Sequence, residues 1–71
     1  MKSEPDDDFR NVAPQIIYFL GRTWQPLTVV QIAKYVDRDL EVTRCYCDLL
    51  LNAGRIKKVQ TAGDVGFLLI D

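Results

Sequence analysis

Histidine is absent from this 71-residue chain, serine occurs once, at Ser3, and tryptophan once, at Trp24. Proton-transfer and nucleophilic catalysis therefore lack their usual side chains, and neither paired carboxylates on a rigid framework nor a glycine-rich phosphate loop replaces them. An enzyme is not expected. Cysteine is confined to Cys45 and Cys47. On a helix that i, i+2 spacing points the two thiols roughly 200° apart, which favours neither a disulfide nor a shared metal. With no histidine and no further cysteine, a zinc site lacks ligands. A thiol beside Arg44 is redox-active only if exposed, and a buried apolar thiol is the simpler expectation. No apolar run approaches the ~20 residues of a membrane span, and the acidic stretch Met1-Lys2-Ser3-Glu4 does not read as a signal peptide. The expectation is a reduced, cytoplasmic protein without cofactor, metal or membrane.

What is present describes one small folded domain. Apolar residues make up 48% of the chain and charged residues 27%, with a formal net charge of −1, a globular rather than disordered or collagenous mix. A chain this short buries only about 60% of its unfolded surface, so one core is available and no cleft that encloses a substrate. The charge is unevenly spread. Residues 1–8 hold four acidic side chains against Lys2, whereas the rest of the chain holds eight basic against six acidic. Residues 1–10 are accordingly expected as an acidic, disordered tail, with an autoinhibitory or nucleic-acid-mimicking arm as the functional alternative. Residues 11–71 are expected to form the domain.

Ile16, Ile17, Leu20 and Trp24 make one apolar stripe of a first helix from about Val12 to Thr23, with Trp24 as a core anchor. Pro14 is tolerated only in a first turn, so the start is expected near Asn11 to Ala13, capped by Asn11 or Asp8. Gly21 and Gln25-Pro26 end it. Thr28-Val29-Val30-Gln31 is a capping box that opens a second, short helix with Ile32, Ala33 and Val36 inward and Lys34, Asp37 and Arg38 on the other faces. Asp39 caps a third helix from Leu40 to Ala53, with Glu41 in its first turn. Two stripes compete there: Thr43, Tyr46, Cys47, Leu50 and Ala53, or Val42, Cys45, Tyr46, Leu49 and Ala53. Gly54 suits the left-handed residue that ends it. Ile56–Gln60 and Val65–Ile70, joined by Thr61-Ala62-Gly63-Asp64, read as a hairpin with Ile56, Phe67 and Leu69 inward. The fold class is thus mainly α with a small β-hairpin (α+β).

Helix, helix, tight turn, helix, hairpin is the element order of a winged helix, a three-helix helix-turn-helix core plus a C-terminal two-stranded wing. Leu27-Thr28, Ile32-Ala33, Val36 and the run from Arg44 to Gly54 and Ile56 carry the likeness. They resemble the L-T-x-x-x-I-A … L-x-x-A-G-x-I pattern of bacterial winged-helix regulators of the MarR and ArsR type. Among very short chains the sequence is similar to the FaeA-like pilus-operon regulators, which share an Arg-x-Tyr pair like Arg44 and Tyr46. The resemblance implies double-stranded DNA as partner, with the third helix in the major groove and the second across the backbone. It also favours the first stripe as core, leaving Glu41, Val42, Arg44, Cys45 and Asp48 outward.

On this reading Arg44 contacts a base, because its guanidinium pairs bidentately with guanine; a solvated side chain or an ion pair with Asp48 is the plain alternative. Thr28 offers helix-terminal amides to a phosphate, or acts as a cap alone. Arg38 on the second helix and Arg55, Lys57 and Lys58 at the hairpin root are the further phosphate candidates; edge charges that block aggregation would look the same. Gln60, Thr61 and Gly63 at the tip are placed to reach a minor groove. A homodimer or a co-regulator protein is expected to supply a second half-site, recruited by surplus aliphatic surface at Leu49, Leu51, Leu68 and Ile70. The competing reading is a winged-helix protein-interaction module without strong DNA binding, supported by the acidic pI near 5.2, the apolar third-helix face and Asp48.

Overall fold

A computed structural model describes residues 5–70. Three helices, α1 (Pro5–Arg22), α2 (Val29–Val36) and α3 (Leu40–Asn52), pack with three short strands, β1 (Leu27–Thr28), β2 (Ile56–Thr61) and β3 (Asp64–Leu69). The class is α+β, as expected. The sheet is antiparallel with the order β1-β3-β2, so it has three strands and not the two of the expected hairpin. Leu27 lies opposite Phe67 and Thr28 opposite Gly66. That pairing needs a glycine: a Cβ at Gly66 would meet the Pro26 Cβ at 2.6 Å.

The first helix departs most from expectation. It begins at Pro5 rather than near Asn11, so Asp8 and Asn11 are interior residues, not caps, and Pro14 sits in mid-helix. Residues 5–10, expected as part of a disordered tail, are its first turns; residues 1–4 lie outside the described chain. An interior proline removes one hydrogen bond and clashes with the preceding turn, at about 3 kcal/mol. Long-range contacts on the N-terminal side of Pro14 oppose that cost. Asp8 accepts from the Arg38 guanidinium at 2.9 Å and from the Tyr46 hydroxyl at 2.7 Å. Phe9 packs on the Tyr46 ring with centroids 5.3 Å apart, and Val12 and Ala13 enter the core.

The core is Val12, Ala13, Ile16 and Leu20 from α1, Ile32 and Val36 from α2, Tyr46, Cys47 and Leu50 from α3, and Leu27, Ile56 and Phe67 from the sheet. Trp24 is not in it. The expected anchor lies beyond the end of α1 and is 85% exposed, because the helix stops at Arg22 and the chain turns into β1.

The second and third helices follow local chemistry closely. Thr28 Oγ1 accepts from the Gln31 amide at 3.2 Å while Gln31 Oε1 accepts from the Thr28 amide at 2.9 Å, the reciprocal cap the sequence spells. Asp37 closes α2 in the left-handed region at φ 57°, and its amide donates to the Ala33 carbonyl. Two residues on, Asp39 caps α3 through the Glu41 amide. Thr43, Tyr46, Cys47 and Leu50 are the buried residues of α3, which selects the first of the two stripes. Ala53, the last residue of that stripe, caps the helix and is exposed. Gly54 follows at φ 74°.

Candidate nucleic-acid interface

Burial of Thr43, Tyr46, Cys47 and Leu50 leaves Glu41, Arg44, Cys45, Asp48 and Leu49 exposed, but Val42, expected outward, is half-buried and packs against the core, as does Leu51. Thr43 is fully buried but satisfied, its hydroxyl donating to the Asp39 carbonyl at 2.9 Å. From the sheet, Lys58 pairs with Phe67 across β2 and β3. The two surfaces meet in a cleft of about 280 Å³ lined by Arg44, Asp48, Lys58, Asp64 and Val65, with Val29 and Phe67 beneath. Arg44 and Lys58 are its cations. Asp48 and Asp64 are its acids, and Asp64 was not among the residues expected here. Among the described residues the ion pair is Arg38 with Asp8; Arg44 and Asp48 share the cleft without one.

The remaining expected site residues scatter. Lys57 is adjacent in sequence to Lys58 but opposite in direction, because strand side chains alternate faces. It lines a different hollow with Thr23, Trp24 and Leu68. Arg55 borders a third hollow, between α1 and α3. Arg38 is committed to Asp8, which raises the guanidinium pKa. Its remaining donors reach the Val36 and Asp37 carbonyls. At the hairpin tip, Thr61 Oγ1 donates to the Asp64 carbonyl at 3.0 Å and Gln60 Nε2 to the same oxygen at 3.2 Å. Both side chains thus brace the turn. Thr28 is held by its cap, close to Val29 at the cleft wall.

The two thiols differ sharply. Cys45 is exposed on the outward face of α3 and Cys47 is buried. Burial, with a smaller contribution from the Asp48 charge, pushes the Cys47 pKa up to about 11. Among the described residues no three histidine, cysteine, aspartate or glutamate side chains come together as metal ligands, and no helix is long and apolar enough to cross a membrane.

Comparison of the chain with family models, with curated proteins and with solved structures returns no match.

Proposed function

We propose that this chain is a small winged-helix protein that binds double-stranded DNA, with α3 as the helix presented to the major groove and β2–β3 as the wing along the backbone. The observation that carries this reading is the convergence of Arg44 on α3 and Lys58 on β2 at one exposed cleft. A helix standing beside a cationic strand matches the way a duplex presents a groove edge and its flanking phosphates. The capped N-terminus of α2 adjoins the same cleft through Val29. The interface is smaller than the sequence implies: Lys57 and Arg55 face elsewhere and Arg38 is paired. So few cations support non-specific affinity on the order of 10⁻⁴ to 10⁻⁶ M. Specific operator binding then requires a second half-site, from a homodimer or from a co-regulator.

Fluorescence anisotropy with a random-sequence duplex tests the reading. Binding is expected at low salt and is lost as salt rises, with log K falling by about 0.9 per log unit of salt for each phosphate neutralised. Arg44→Ala with Lys58→Ala is expected to flatten that slope by about 2, whereas Lys57→Ala has little effect. No binding at low salt, or no response to the double substitution, rejects it. One specific observation favours a second reading, a protein-interaction module. Asp48 and Asp64 offset the two cations within the cleft, and Leu49, the residue after Asp48 on α3, is 49% exposed.

A further inference from the structure

An open apolar groove of about 580 Å³ runs between α1 and α3, away from the Arg44 cleft. Its walls are Phe9, Ala13, Pro14 and Ile17 on α1 and Leu50 and Ala53 at the end of α3. Each wall carries one arginine at the rim, Arg10 on α1 and Arg55 just after α3, and both are exposed. From Phe9 to Tyr18 the α1 wall extends about 14 Å, room for roughly 2.5 turns of another helix. At about 100° per residue, Leu50 and Ala53 leave α3 on the side opposite Arg44 and Asp48. An occupant of the groove therefore does not compete with anything at the cleft.

We propose that this groove receives an amphipathic helix of a partner protein, apolar on its seated face and acidic on its flanks. Charge complementarity decides the flanks: a cation on each side of an apolar floor selects glutamate or aspartate on each side of an apolar stripe. Shape decides against a small ligand, because such sites bury 70–90% or more of their occupant, whereas this groove is long and open along one side. Recognition uses the helix-in-groove mode, with anchors at i, i+4 and i+7. The inference does not depend on DNA binding.

The test uses the full chain and a synthetic helical peptide with leucines at i, i+4 and i+7 and glutamates on both flanks. A second peptide carries lysine in place of each glutamate. Amide chemical shifts are expected to move at Ala13, Ile17, Leu50 and Ala53, with the glutamate peptide bound at least about tenfold more tightly. Ile17→Glu is expected to weaken both peptides. The Arg10→Glu, Arg55→Glu double variant, changed only at exposed positions, is expected to keep its helical circular dichroism and to reverse the preference. Equal binding of the two peptides overturns the proposal, as do shifts confined to the Trp24 or Leu49 surface. It also falls if a dimer of the free chain dissociates on Ile17→Glu, which makes a second copy the occupant. Decanoate reproducing the same shifts with the same arginine dependence overturns it in favour of a small anionic amphiphile.

Discussion

At Asp8 one carboxylate meets the Arg38 guanidinium and the Tyr46 hydroxyl, so α1, the turn after α2 and α3 share a single charged node. Arg38 first, and Tyr46 second, hold the Asp8 pKa below the usual carboxylate range. A depressed folded-state pKa contributes stability above the unfolded value near 3.9 and loses it as pH falls through the lower folded value. The melting temperature is therefore expected to drop on acidification below about pH 4, and Asp8→Asn is expected to be less stable at neutral pH with a shallower acid loss. The same carboxylate raises the Tyr46 pKa. That contribution is present below about pH 10 and fades as alkali ionises the phenol. The thiols give a second residue-level expectation. With Cys45 exposed and the Cys47 pKa pushed up to about 11, iodoacetamide at about pH 8 should add one label to the native chain and two after denaturation, read by mass. Two native labels would show that α3 opens. The node itself was not legible in the sequence: Asp8 is 30 positions from Arg38 and 38 from Tyr46, beyond any local pattern.

Among the elements, α2, α3 and the β2–β3 pair were readable because each is set by chemistry within a few residues. The capping box starts α2, Asp39 starts α3, Gly54 ends it, and Gly63 at φ 82° makes the turn between the strands. The cap has a measurable worth. Thr28→Ala is expected to cost about 1 kcal/mol in denaturant unfolding, and a change near zero would mean that packing of Ile32 and Val36 alone holds α2. The start of the first helix is not legible because Pro14 by local rules belongs in a first turn, and what overrides that rule is tertiary: the Asp8 node and the Phe9–Tyr46 contact. The strand β1 is hidden for a different reason. Leu27 and Thr28 are too few to show a strand period, and only the close approach of Pro26 to Gly66 reveals why a glycine stands there.

For the whole molecule, the Arg44 cleft is half legible in the sequence. Helical spacing put Arg44 outward once the core stripe was chosen. Alternation along β2 separates Lys57 from Lys58, so the cationic ridge implied by adjacent lysines divides between two faces of the sheet. What no spacing reveals is Asp64 entering the cleft, since that depends on how the hairpin leans on α3. The result is a body with distinct surfaces: a cation–acid cleft, an apolar groove rimmed by arginines, and the Trp24 corner. Because Trp24 lies outside the core, Trp24→Ala is expected to change unfolding free energy by less than about 0.5 kcal/mol, where a buried indole would cost about 3–5 kcal/mol. A large loss would return the indole to the interior. The same exposure governs optical work on this chain. Its lone indole already emits from water when folded, so melting should scarcely move the fluorescence maximum, whereas a blue shift at constant helicity would announce that something has come to rest against that corner.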